Sequence, residues 1–590
     1  MNAKTRSLNI DALKGLAIIA VVLYHASDKL MPSGYLGVDV FLVIAGYFMM
    51  VSMLKQPKFH PVKFITDRLF RLWPLVLVVS ITAMLVGYFT MLPDDFKNLN
   101  ESVVASNWFA NNILAFLTTK NYWDVVNEYK PLMHTWYCGV LMQGYILCSI
   151  IIVLAQRLTS GRRRILAVFL GVAWLVSFVL YLLPCFSLYL KFYIPFFRLF
   201  EILSGALVAL FCRQNDDEIA PGRFGWVYLA VGVLCTLAVF CLLFCFRFVR
   251  GVETPVVATV AATSVLLYVM RKRDIPAFFG TKILAYLGCG CFSIYIWHQL
   301  LLAYGRYCIF AEWNKYAIAA FAVGLIVISI PSYLFVEKKF CTGLVKSGHR
   351  NIWLCALVMI GMVSSGAALY FYRIAGCVRD VPEMELYVKN RVRDLHANYN
   401  SRAYKLDREF AGGKKKILVV GHSYARDWCN VLAESKFANK IEVSYIYHPN
   451  QERVDRSRQR FFDADYIFYV EETFPAMLPS GINKDKLYMV GEKYFGVSNG
   501  LIYQRRFSAN YKNSSVRVPD AVMEKNNLLR SQLKDHYIDM FLPVQNEDGS
   551  VRVFTPEGKF ISQDCRHLTQ SGARYYAKKF EPFLEKLLLP

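Results

Sequence analysis

The chain has 590 residues, with 67 Lys+Arg against 44 Asp+Glu and a formal charge of +23. It is 55% hydrophobic and only 19% charged, below the roughly 25% of soluble proteins. That excludes a disordered chain, which is poorer in apolar residues, and a nucleic-acid binder, which is less greasy; few charges, mostly positive, indicate a polytopic membrane protein.

Apolar blocks recur up to about Arg373 and then stop. The expected division is a membrane domain at 1–350, a further transmembrane helix at 351–375, a connector at 376–413 and a soluble domain at 414–590. Hydropathy gives eleven candidate spans: Leu8–Ser27, Leu36–Leu54, Leu75–Leu92, Pro131–Ala155, Leu166–Leu183, Phe192–Cys212, Trp226–Phe246, Pro255–Met270, Ile283–Tyr304, Tyr316–Val336 and Ile352–Phe371. Each is about as long as a bilayer crossing requires. Asn107–Thr118 is apolar but short and reads as a loop or re-entrant helix. The first span follows Lys4 and Arg6, as a signal peptide would, but contains Asp11, Lys14 and His25 and reads as retained.

Basic residues fall in alternate loops. With the N-terminus inside, the cytoplasmic loops hold Lys55, Lys58, Lys63, Arg68 and Arg71, then Arg157 and Arg162 to Arg164, then Arg213 and Arg223, then Arg271 to Arg273 and Lys282, then Lys338, Lys339, Lys346 and Arg350. The opposite loops hold few, such as Lys29, Lys97, Arg250 and Arg306. This bias and an odd span number place the soluble domain outside. The 15 Cys are spread through the spans without metal-ligand spacing, so no metal is expected. Cys429 and Cys565 flank the outer candidates and leave one bridge conceivable.

An ionisable residue in hydrocarbon usually faces a cavity or a partner. The spans contain many. Lys14 and His25 are eleven residues apart, on one helix face about 16 Å from each other. Asp39, His134, Arg198, Glu201, His298 and Glu337 follow in later spans. Each alone has a bland reading as a snorkelling or structurally paired group. Together, clustered at two depths, they suggest a polar path across the membrane.

At these residues the chain resembles the membrane acyltransferase-3 family, whose members acylate sugars on the far side of the membrane. The segments are LNIDALKGLAIIAVVLYH (Leu8–His25), GVDVFLVIAGY (Gly37–Tyr47), FITDRLFRLWP (Phe64–Pro74), PLMHTW (Pro131–Trp136), RLFEILSG (Arg198–Gly205), SIYIWH (Ser293–His298) and YLFVE (Tyr333–Glu337), in the family's order. The resemblance implies that His25 is the catalytic His, and that Arg68 and Arg71 meet an acyl-CoA donor at the cytoplasmic face. Two guanidiniums one turn apart suit phosphate oxygens, and a His can take a proton from a hydroxyl near neutral pH. Two departures stand out. Lys14 replaces the usual Arg. After His134–Thr135–Trp136 the family's two Glu are Leu141 and Met142, which reads as a divergent subfamily or a lost activity; the remaining machinery favours divergence.

Beyond the spans, Ile417–Val420 is a buried-strand pattern followed by Gly421, His422, Ser423 and a helical run. Further strands are expected at Ile441–Tyr447, Tyr466–Val470, Leu487–Val490 and Ile538–Phe541, alternating with helices, so a three-layer α/β domain is expected. Ser423 then lies at the carboxyl edge of a parallel sheet, where α/β sites form. Asp564-Cys565-Arg566-His567 near the end resembles the Asp-x-x-His block of SGNH hydrolases, although His422 replaces the Asp beside their nucleophile. Ser423, His567 and Asp564 are expected as nucleophile, base and orienter, with Asn499 and the Ser423 N–H at the oxyanion hole.

Taken together, the resemblance implies a bacterial inner-membrane O-acetyltransferase. Acetyl-CoA is the expected donor, inside. A surface or lipid-linked polysaccharide such as lipopolysaccharide O-antigen is the expected acceptor, outside, and Ser423 carries the acyl group between them. Direct transfer by the membrane domain, with the outer domain orienting the glycan, is the first alternative. A transporter or flippase with an attached esterase is the second.

Overall fold

The structure is a computed structural model and describes residues 3–27, 31–56, 59–118, 129–159, 163–212, 225–245, 253–272, 282–310, 314–390, 395–470 and 478–588. The loop residues Lys29, Lys58, Arg162, Arg213, Arg223, Arg250 and Arg273 lie outside these. The chain divides into two compact units, Met1–Phe89 with Asn98–Tyr372, and Thr90–Lys97 with Arg373–Pro590.

The first unit is helical. Its elements are α1 (Ala3–Ala26), α2 (Gly37–Leu54), α3 (Pro61–Thr90), α4 (Pro93–Asn107), α5 (Asn111–Thr118), α6 (Trp136–Thr159), α7 (Arg163–Leu182), α8 (Leu188–Tyr193), α9 (Pro195–Phe211), α10 (Gly225–Phe244) and α11 (Glu253–Lys272). They continue with α12 (Lys282–Cys289), α13 (Cys291–Tyr304), α14 (Lys315–Pro331), α15 (Thr342–Lys346) and α16 (Arg350–Arg373). A π-helical run, Ser332–Cys341, joins α14 to α15.

Among the described residues nine helices are long and apolar enough to cross a membrane, and a bent pair makes up to ten. The expectation of eleven plain spans is corrected at two places. The sixth, Phe192–Cys212, is broken at Ile194, which is extended because Pro195 follows and opens α9 at its first turn. The remaining 17 residues rise about 25 Å, at the short end of what crosses a hydrocarbon core. The ninth bends by 72° between α12 and α13, at Gly290. The segment Asn107–Thr118, expected as a loop or re-entrant helix, is the end of α4 followed by α5.

Outward faces are apolar. On α7, Val168, Val172, Leu175, Val176 and Val179 are all exposed, as a lipid-facing stripe and not a water-facing one. Inward faces pack closely. A Cβ on Gly46 would lie 1.8 Å from Ile202 O, and one on Gly205 would lie 1.8 Å from Val43 O, so α2 and α9 cross backbone to backbone. Helix α16 docks through polar groups. Asn107 Nδ2 donates to Ser364 Oγ at 2.9 Å and Ser365 Oγ at 3.1 Å, and Trp108 Nε1 also donates to Ser365 Oγ.

The second unit contains α17 (Leu395–Ser401), β1 (Lys415–Gly421), α18 (Ser423–Glu434), β2 (Ile441–Tyr447), α19 (Gln451–Arg456), α20 (Arg458–Asp463), β3 (Tyr466–Val470) and β4 (Leu487–Val490). After them come α21 (Asn499–Tyr503), β5 (Ser515–Val516), α22 (Asp520–Leu533), β6 (Tyr537–Ile538), β7 (Val551–Arg552), α23 (Gln570–Lys579) and α24 (Glu581–Leu588). Five strands form a parallel sheet in the order β2-β1-β3-β4-β6; β5 and β7 pair separately and antiparallel. Ile417 to Val420 are fully buried on both faces, as a central parallel strand requires. The fifth expected strand is only Tyr537–Ile538. Strand order reverses at β1, so the crevice past its carboxyl end is the natural ligand position.

Candidate active site

Gly421 ends β1 with φ +143°, and a Cβ there would lie 2.2 Å from Val470 O. Only glycine fits this turn. It aims His422 and Ser423 at the crevice. His422 caps α18: its Nδ1 accepts Tyr424 N–H at 3.3 Å. Burial, then the charges of Lys493 and neighbouring histidines, push the His422 pKa down to about 4, so its ring is neutral at physiological pH.

Ser423 is fully buried. Its Oγ lies 2.9 Å from His567 Nε2, and His567 Nδ1 donates to Asp564 Oδ2 at 2.5 Å. Asp564 Oδ1 accepts the backbone N–H of His567 at 2.7 Å and of Arg566 at 3.0 Å. Burial opposes ionisation of Asp564, but His567 and these donors outweigh it and hold the pKa at about 2. The fixed carboxylate sets the His567 tautomer. Nδ1 carries the hydrogen and Nε2 is left to accept the serine proton. The structure thus joins three residues 144 and 3 positions apart in sequence into a nucleophile–base–orienter geometry.

Asn499 is tied to the turn that carries two of the triad residues. Its Nδ2 donates to Ser562 O at 2.7 Å and its Oδ1 accepts the Cys565 thiol at 3.2 Å. The amide NH2 carries two hydrogens, and one of them is held by Ser562 O in the turn that carries Asp564 and His567. Cys565 has φ +67°, a conformation that costs a non-glycine about 1–3 kcal/mol, and Asn499 braces it. The thiols of Cys429 and Cys565 are free.

Two residues beside the triad have no obvious sequence signature. Asp427 is fully buried, accepts Leu568 N–H at 3.0 Å and pairs with Lys493 at 2.9 Å. Lys493 Nζ lies 3.7 Å from the centre of the Tyr424 ring. Asp427 is four residues after Ser423, on the same face of α18, which was the one available hint. A cavity of about 20 Å³ lies beside His422 and Tyr424, bounded by Val470, Gly491 and Leu529.

In the membrane unit the predicted residues gather in three groups. The ring centres of His25 and His298 are 5.1 Å apart and those of His134 and His298 are 5.3 Å apart. Asp39, Arg198 and Glu201 form a second, fully internal group. Arg198 Nε donates to Glu201 Oε1 at 2.8 Å, its Nη2 to Glu201 Oε2 at 3.1 Å, and Nη2 also donates to Asp39. Lys14, Arg68, Arg71 and Glu337 line the third, a cavity of about 490 Å³ shared with Asp11 and Asp67. There Lys14 pairs with Asp11 at 2.8 Å, Arg68 stacks on Phe64 and Tyr145, and Ser293 Oγ donates to Glu337 at 2.9 Å. Ser293 and His298 are both on α13, so one helix runs from the cavity to the histidines, about 7.5 Å along its axis. Leu141 and Met142, at the missing Glu positions, are buried apolar side chains.

A family model described as an acyltransferase domain matches residues 7–337, more than half of the chain. The chain belongs to the acyltransferase-3 family. All three membrane groups of this acyltransferase, with Glu337 at the boundary, fall inside the matched region, and the Ser423 triad falls outside it. The chain is 29% identical to a putative membrane-bound transacylase, BcsY, of Komagataeibacter xylinus over 57% of its own length and 83% of that protein. It is 24% identical to the peptidoglycan O-acetyltransferase OatA of Listeria monocytogenes over 50% of its own length and 49% of that protein. A putative O-acetyltransferase of Staphylococcus aureus, SACOL0978, is also 24% identical, over 56% of each chain. The acyltransferase thus spans about half the length of the latter two relatives. No solved structure matches it.

Proposed function

We propose that this membrane acyltransferase is a bacterial inner-membrane O-acetyltransferase, with its N-terminus cytoplasmic and its second unit periplasmic. Acetyl-CoA docks at the 490 Å³ cavity, where the Arg68 and Arg71 guanidiniums meet its phosphates. The acetyl group crosses the membrane unit with help from His25. Ser423 then takes the acetyl group. Its Oγ attacks the acyl carbonyl while His567 Nε2 accepts the hydroxyl proton and Asp564 stabilises the imidazolium; the bond from the carbonyl to the group that delivered the acetyl breaks, and that group leaves with the proton returned by His567. A sugar hydroxyl of a surface polysaccharide such as lipopolysaccharide O-antigen then attacks the seryl ester, giving its proton to His567; the ester bond to Ser423 Oγ breaks and His567 passes that proton to the departing oxygen, restoring Ser423.

The observation that carries this reading is the Ser423–His567–Asp564 geometry in a chain whose other unit is an acyltransferase. The test is mass spectrometry of surface glycans from cells carrying Ser423→Ala or His25→Ala. Both variants are expected to insert and to leave the glycan unacetylated. Acetylation that persists in Ser423→Ala eliminates the covalent relay and favours direct transfer by the membrane unit. One relative is named for peptidoglycan. The same spectra decide between that acceptor and O-antigen.

A further inference from the structure

Asp67 lies immediately before Arg68 and four residues before Arg71 on α3. A carboxylate one helical turn from a guanidinium ordinarily pairs with it, and such a pair would quench an anion site at its centre. Here Asp67 faces another partner. Arg350 Nη2 reaches Asp67 Oδ1 at 2.5 Å. Arg350 is itself aimed by two contacts: Nη1 donates to Val345 O at 3.0 Å, and the guanidinium lies 5.4 Å from the Phe70 ring centre. Asp67 and Val345 both line the 490 Å³ cavity. Among the described residues neither Arg68 nor Arg71 forms an ion pair.

The cavity charges then sort simply. Asp11 is answered by Lys14 and Asp67 by Arg350. Arg68, Arg71 and Lys338 are left facing Glu337 alone. Arg350 opens α16, beyond residue 337 where the family match ends. The matched domain supplies the carboxylate and the helix after it supplies the counter-charge.

We infer that Arg350 is a positioning residue of the donor cavity: by occupying Asp67 it keeps Arg68 and Arg71 available to a phosphate-bearing ligand. The first residue of α16 on this account acts on the cavity from behind its lining, through Asp67. The inference rests on the reading of this cavity as the acetyl-CoA site. Without Arg350, Asp67 turns to Arg71 at the i, i+4 distance, and the ligand competes with an internal carboxylate.

The experiment is calorimetric titration of coenzyme A into the full chain in lipid nanodiscs, with adenosine 3′,5′-bisphosphate and pantetheine as partial probes. Arg350→Gln is expected to bind coenzyme A about tenfold more weakly, the loss of roughly one charge-assisted hydrogen bond. Asp67→Asn is expected to bind at least as tightly as the wild type. Arg350→Gln with Asp67→Asn is expected to return to within about twofold, since removing the competitor removes the need for its partner. The bisphosphate should follow the same order and pantetheine should not. Equal binding by Arg350→Gln, or a double variant as weak as the single one, overturns the inference while leaving the donor site intact. A wild type that does not bind coenzyme A overturns the donor reading itself and this inference with it.

Discussion

The imidazole of His25 on α1 lies 5.1 Å, centre to centre, from that of His298 on α13. Hydrogen bonding fixes the tautomers of the cluster. His25 Nδ1 donates to Val21 O at 2.9 Å, His134 Nε2 donates to Ile296 O at 2.9 Å, and His298 Nδ1 donates to Tyr295 O. A carbonyl only accepts, so each facing nitrogen carries the ring hydrogen and the other is a lone pair. His134 Nδ1 and His298 Nε2 are buried with no partner, at a cost of about 1–3 kcal/mol each. A cluster of bare acceptors is suited to receiving a proton or a hydroxyl. His298→Ala is therefore expected to slow acetyl transfer by about 10²-fold, the range of a lost acid–base group. Coenzyme A affinity should be unchanged. An unaltered rate would reduce His298 to a packing residue.

The Ser423 triad makes a prediction about form as well as rate. With its pKa held at about 2, Asp564 remains charged wherever the protein is folded. Asp564→Asn is close in shape but cannot hold Nδ1 as the donor in the same way. A fall of about 10³–10⁴-fold in hydrolysis of a small acetyl ester is expected, the size seen when an orienting carboxylate is neutralised. The ionised Asp564 also stabilises the fold. Its folded pKa is depressed, so the contribution is present above the unfolded value near 4, worth about 2 kcal/mol, and is lost as pH falls through about 2.

His422 has the same sign in a higher pH window. Its folded pKa is lowered from 6.5 to about 4. Between those values the unfolded chain binds a proton that the folded one refuses, so stability rises with pH across that window and is lost as the medium is acidified. His422→Asn keeps an acceptor for the α18 cap and has no proton to take up. Thermal unfolding of the second unit from pH 4 to 7 should show a shallower acid dependence in this variant. Curves that remain parallel would place the acid sensitivity elsewhere.

Much of this was legible in the sequence, and what was not has a physical reason. Ile417–Val420 reads as a central strand because four successive apolar residues must be buried on both faces. Ser423, Asp564 and His567 are visible because each sits in a short motif next to a turn or a cap. The break at Ile194 was present in the X-Pro rule but masked by hydropathy, which averages over it. The bend at Gly290 was not legible, since a glycine in an apolar run also fits a straight helix. Asn499 lay in the right neighbourhood, but its bond to Ser562 O joins it to a turn 63 residues away, which composition cannot show. Arg350 and Asp67 are 283 residues apart, and each alone reads as a loop or interfacial charge.

The Asp39–Arg198–Glu201 group separates structural from catalytic charge within the membrane unit. Its three side chains are at most 3% exposed, and Arg198 also lies over Trp136 and Phe192. Its donors are turned toward the two carboxylates, so the group has the form of a lock between α2 and α9, whose backbones already touch at Gly46 and Gly205. Arg198→Met leaves two carboxylates facing each other without a cation, a loss of about 3–5 kcal/mol. Combining it with Asp39→Asn and Glu201→Gln removes the stranded charges and should recover most of the unfolding midpoint in detergent. The triple variant is also expected to retain acetyl transfer, because no proton or acyl step has been assigned to this group. A triple variant that is stable yet inactive would move these residues from the scaffold onto the path of the acyl group.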